Sequence, residues 1–113
     1  MSTDASEREA LFRQLTDLLS HDDARVTRST MMGFPCLRVD DKFFACVERA
    51  TGNLILKLPA ERVNDLVRTG TGRQFAPNGR VFKEWVACPG PARELWTNLL
   101  NEAKRYVDGV QPT

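Results

Sequence analysis

One histidine and one tyrosine in 113 residues leave this chain with little of the equipment that acid–base and nucleophilic chemistry draws on. His21 closes a helical pattern, with no evident serine or cysteine partner. A hydrolytic site would need a nucleophile within reach of a base. The sequence therefore predicts a domain that is not an enzyme, and places His21 in the last turn of a helix, a favourable position against the negative end of the helix dipole. Cysteine is sparse as well. Cys36, Cys46 and Cys88 are odd in number, far apart and without a C-x-x-C pair, so neither a disulfide framework nor a local zinc motif is present. They read as buried, reduced thiols, with no metal and no cofactor expected. No apolar run approaches the roughly 20 residues of a spanning helix, and the first ten residues lack a basic segment followed by an apolar one. The expectation is a cytoplasmic protein, monomeric or weakly dimeric, with no membrane partner.

An excess of one charge sign is absent from the total, which is +1. The distribution is uneven. Residues 1–23 sum to −4, residues 24–93 to +6 and residues 94–113 to −1, so the middle of the chain is the positive part. Hydrophobic residues at 42% and charged residues at 27% are ordinary for a folded domain. The length suits one domain, 1–113, with its core over about 6–108.

Ser6 with Glu9 forms a capping box, predicting a first helix from about Glu7 whose Leu11, Leu15, Leu18 and Leu19 make the apolar stripe. Arg25 to Thr30 reads as an edge strand or an extended approach. Three short apolar runs follow, Cys36–Val39, Phe43–Glu48 and Asn53–Leu58, separated by Asp40-Asp41-Lys42 and Ala50-Thr51-Gly52. That spacing predicts an antiparallel meander. Leu54, Leu56 and Leu58 share one face by the two-residue period, with Ile55 and Lys57 on the other. Phe43 to Val47 is apolar on both faces, and its inner face is not legible.

Pro59 fits a first helical position, Val63, Leu66 and Val67 form a stripe, and Gly70 fits a left-handed stop. Gln74–Ala76 and Arg80–Ala87 read as a hairpin across Pro77-Asn78-Gly79. After Pro89-Gly90-Pro91, residues Ala92 to Val107 carry the clearest amphipathic pattern in the chain. The fold class is α+β, two-layered, with an antiparallel sheet of about five strands packed by helices in the order α-β-β-β-α-β-β-α.

Met32-Gly33, Leu37-Arg38-Val39-Asp40-Asp41-Lys42-Phe43-Phe44-Ala45 and Glu84-Trp85-Val86 together resemble the TfoX N-terminal domain family and its YjbR-like relatives. Those families open the meander with a Met-aromatic-Gly element, continue through L-x-V-[DN]-G-K-x-F-A and close the last strand on a Trp. The resemblance spans roughly Val26 to Val107 and departs at Asp41, where glycine is usual, and at Met32. It implies the same α+β fold and a regulatory or nucleic-acid-linked role, and it brings no catalytic residues.

Two surfaces stand out. Arg68 to Lys83 contains Arg68, Arg73, Arg80 and Lys83 with no acid, three glycines and Phe75, a composition suited to phosphate contacts with a base stacked between them. The bland reading is a solvated loop around a core phenylalanine. Gly70-Thr71-Gly72 lacks the Lys-Ser/Thr ending of a phosphate loop. Phe34, Trp85 and Trp96 could instead line a pocket, although aromatics within periodic elements are more often core. The expected function is binding or regulation, with nucleic acid held weakly or a protein as partner. The alternative is a small-molecule or catalytic cleft near Phe34 and Trp85.

Overall fold

A computed structural model describes residues 4–31, 34–48, 51–76, 79–90 and 92–109. Helix α1 (Asp4–Asp22) precedes four strands, β1 (Val26–Met31), β2 (Phe34–Val39), β3 (Lys42–Val47) and β4 (Leu54–Lys57). Helix α2 (Ala60–Arg68), strands β5 (Arg73–Gln74) and β6 (Trp85–Cys88), and helix α3 (Arg93–Asp108) complete the fold. One antiparallel sheet runs in the order β1-β2-β3-β4-β6-β5. The α+β architecture expected from the sequence is present, with Val26–Met31 supplying a sixth strand at the edge. No helix among the described residues is long and apolar enough to cross a membrane.

The expected hairpin exists but is shorter. Only Arg73 and Gln74 pair with Ala87 and Val86, and residues 80–84 stand outside the ladder, their path fixed by Phe82 N–H donating to the Phe75 carbonyl at 3.0 Å. The helix boundaries shift too. Helix α1 starts at Asp4, so Ser6 lies inside it and the side chain the capping box needs lies outside the described residues. Pro59 is the residue before α2 rather than its first. Met32, Gly33, Ala50, Pro77, Asn78 and Pro91, each part of an expected turn or break, also lie outside them.

Within α1 the buried stripe is Leu11, Phe12, Leu15 and Leu19, with Thr16 beside it, whereas Leu18 is 51% exposed. At about 100° per residue Leu18 lies roughly a quarter-turn from the direction midway between Leu15 and Leu19, just past the Leu11 edge of the buried arc, and Phe12 extends that arc on its other flank. Side chains from all three helices meet one sheet face in a single core, around Leu37, Phe44, Leu54, Leu56, Leu58, Val86, Trp96, Leu99 and Leu100.

The hairpin between β2 and β3 turns on Asp40 and Asp41, both at positive φ (49° and 66°), as a two-residue type I′ turn requires. Aspartate tolerates this region better than most side chains, which lets Asp41 stand where glycine would be easier. Arg25 anchors the turn by donating to Asp40 at 3.2 Å while also engaging Asp23 and Asp108. A register shift at Leu37/Arg38 leaves Phe44 as an extra residue on β3. This bulge resolves the face of the central strand: Phe44 and Ala45 both enter the helix-covered core, while Phe43 and Cys46 turn to the opposite face.

Candidate nucleic-acid interface

That opposite face has its own, smaller apolar row. Cys36 pairs with Cys46, Cys46 with Ile55, and Ile55 with Ala87, so four buried residues on four neighbouring strands lie side by side. Phe43, Phe75 and Trp85, all half-buried, pack against the row, and no helix side chain belongs to it among the described residues. The sheet therefore has a helix-covered face and an open face whose apolar floor is fringed by aromatic rings.

Register dictates what stands beside those rings. Arg38 is opposite Phe43, and its guanidinium carbon lies 4.3 Å from that ring's centre. Lys57 is opposite Trp85, with Nζ 5.7 Å from the ring centre. Arg80 lies 5.6 Å above Phe82, itself 5.7 Å from Phe75 at a tilt of 40°. Arg73, opposite Ala87 on β5, adds an exposed cation to the same face. Each cation over a ring is held by the ring's quadrupole, which contributes about 0.5–1 kcal/mol at exposed positions and leaves the hydrogen-bond donors unused. None of these four cations has a described carboxylate within 4.0 Å. The Nε of Arg38 is buried with no hydrogen-bond partner among the described residues.

On the helical side the pattern is reversed. Arg25 is shared by Asp23, Asp40 and Asp108, Arg28 pairs with Asp17, Arg62 with Glu102 at 2.9 Å, and Lys104 with Asp23 at 3.1 Å. The hydrogen bonds from Arg25 and Lys104 hold the Asp23 carboxyl well below the usual carboxylate range.

The residues singled out in the basic stretch are thus divided by the fold. Arg73, Phe75 and Arg80 belong to the open face or its margin. Arg68 is bound to Asp65 at 2.7 Å, a partner three residues before the acid-free stretch begins, and so leaves the set of unpaired cations. Lys83 borders a separate groove with Gln74, Val81 and Phe82 against Ala60, Val63 and Asn64 near α2. Of the candidate pocket residues, Trp85 lines a groove, Trp96 is fully buried in the helix-side core, and the side chain of Phe34 lies outside the described residues. His21 is exposed in the last turn of α1.

The groove beside Trp85 has a volume of about 570 Å³ and is lined by Lys42, Phe43, Lys57, Glu84, Trp85, Tyr106 and Val107. Tyr106 on α3 donates its hydroxyl to Glu84 Oε1 at 2.6 Å. That hydrogen bond pushes the phenol above its ordinary range, so at neutral pH the hydroxyl keeps its proton and holds the carboxylate in place.

All three cysteines are buried. Hydrogen bonding to Cys36 and burial raise the Cys46 thiol, and burial pushes Cys88 up to about 11. Among the described residues no three metal-ligating side chains converge.

Phe43, missed as a site residue in the sequence, becomes visible only through the bulge at Phe44, whereas Arg38, also missed, is turned outward by the alternation that buries Leu37 and Val39. Lys57 carried a signal, since the leucine face of β4 already turned it outward. No family model, no curated protein and no solved structure matches this chain.

Proposed function

We propose that this protein is a non-enzymatic domain that binds single-stranded nucleic acid across the open face of its sheet. The observation that carries the reading is the pairing of unneutralised cations with aromatic rings on that face and at its margin: Arg38 with Phe43 and Lys57 with Trp85 on the face, joined by Arg73, and Arg80 with Phe82 at the margin beside Phe75. Single strands expose both groups such a face would engage, phosphates for the cations and base planes for the rings. From β2 to β5 there are four strand intervals, so Arg38 and Arg73 bracket about 19 Å of surface, room for a short run of nucleotides. A duplex hides its base faces and would use the cations alone. The TfoX-like meander agrees with a nucleic-acid-linked role, and we extend the proposal to membership of that family.

Phosphate contacts carry no sequence information, so most of the surface should bind without regard to sequence and weaken with salt. The test is fluorescence anisotropy with a labelled oligothymidylate and a mixed-sequence duplex of equal length at low salt. Binding of the single strand about tenfold or more tighter is expected, given about 1–3 kcal/mol per stacked base. Equal affinity would leave only nonspecific charge attraction, and no binding at low salt would end the reading. The groove beside Trp85 offers a second reading, a small-molecule site on the same surface. It would be favoured by tight binding of a free nucleotide with no gain on lengthening the strand.

A further inference from the structure

We propose that the groove beside Trp85 is a guanine-selective position within that single-strand surface. The inference rests on the single-strand reading and adds to it one base-specific site. The rest of the open face presents cations and apolar rings, which hold phosphates and any base alike. Here, in addition, a carboxylate stands next to a stacking ring. Glu84 immediately precedes Trp85, shares the groove with Phe43, Lys42 and Lys57, and carries the Tyr106 hydroxyl on Oε1, while its Oε2 has no partner among the described residues.

A carboxylate accepts hydrogen bonds and donates none. Guanine alone of the common bases offers two adjacent donors on its Watson–Crick edge, N1–H and the N2 amine, which match the two carboxylate oxygens. Adenine and cytosine set an acceptor nitrogen beside their amine, and thymine flanks one N–H with two carbonyls. Each would bring an acceptor against the carboxylate and be repelled. Oε1 retains a lone pair after accepting from Tyr106, so the two-point contact remains open. Lys42 and Lys57 supply positive charge for the flanking phosphates, and offset part of the repulsion between Glu84 and the backbone. Tyr106 is a positioning residue: it fixes the carboxylate and need not touch the base.

The experiment compares labelled oligothymidylates that differ only at one central nucleotide, carrying dT, dG, dA, deoxyinosine or 2-aminopurine deoxyriboside. The dG strand should bind roughly tenfold more tightly than the dT strand, in the range of a good two-point base contact. Deoxyinosine, which keeps N1–H and lacks the amine, should fall between them. 2-Aminopurine, which keeps the amine and loses N1–H, should show little gain. Glu84→Gln should erase the difference between dG and dT, because an amide presents a donor where the base needs an acceptor. Tyr106→Phe should narrow it, whereas a merely structural hydroxyl would change all strands by one common factor.

The base analogues act on the wild-type protein, so they decide the matter even if a variant misfolds. Equal binding of dG and dT strands by wild type overturns the guanine site while the single-strand reading stands. A dG preference that survives Glu84→Gln, or one equally strong for deoxyinosine and dA, overturns it also. Failure of every strand to bind ends both.

Discussion

Replacing Lys57 and Arg73 together by glutamine removes two of the four open-face cations while keeping the aliphatic stems. Both side chains have their direction fixed by register, opposite Trp85 and Ala87. Neither has a carboxylate partner among the described residues, and Arg73 is exposed, so the change should cost no more than about 1 kcal/mol of stability, chiefly the contact of Lys57 with the Trp85 ring. Binding should respond far more. With Arg38, Lys57, Arg73 and Arg80 each neutralising one phosphate, log K against log salt should fall with a slope of about −2.8 for a single strand, and of about −1.4 in the variant. Between about 50 and 200 mM salt the wild type should then lose roughly fiftyfold in affinity and the variant roughly sevenfold. Anisotropy titrations at four or more salt concentrations measure both slopes, and a thermal melt of each protein checks the fold. An unchanged slope in a folded variant would show that these side chains do not meet phosphate.

Three further outcomes test the scaffold. A Cβ at Gly90 would lie 2.6 Å from the fully buried Trp96 indole, so Gly90→Ala should lower unfolding free energy by about 1–3 kcal/mol in urea titrations. Asp23 is depressed by its hydrogen bonds from Arg25 and Lys104. Its contribution is therefore present above the ordinary carboxylate range and is lost as pH falls toward its lower folded value, so melts below about pH 4 should drop more steeply in wild type than in Asp23→Asn. The buried, raised thiols of Cys46 and Cys88 should react with a thiol reagent far more slowly in the native protein than after unfolding, and labelling of both at the unfolded rate would contradict their placement.

The meander was legible because its signals are local: alternating leucines in Leu54 to Leu58, and two aspartates where a turn needs positive φ. The amphipathic stripe of α3 was equally plain, and Trp96, Leu99, Leu100 and Ala103 are buried along it. Leu18 lies only about 20° around the helix from buried Leu11, so periodicity alone does not separate the two, and packing shows that the buried arc extends toward Phe12 instead. The open face was the hardest part to read. Its composition depends on one extra residue in β3, and a bulge leaves no mark in a strand already apolar on both faces. Charge was read along the chain, where Arg68, Arg73, Arg80 and Lys83 are neighbours. Pairing in space removes Arg68 to Asp65, sends Lys83 toward α2, and brings in Arg38 and Lys57 from distant strands.

The most direct test of a base-stacking face uses the two tryptophans, since Trp96 is fully buried and Trp85 is half-buried beside Lys57. Oligothymidylate added at low salt should quench intrinsic tryptophan fluorescence in a saturable way, because stacking of a base on the indole dissipates its excited state. Trp85→Phe should abolish this quenching while Trp96 emission persists. Quenching of the same size in Trp85→Phe, or binding by wild type with no quenching at all, would contradict a strand laid across this face.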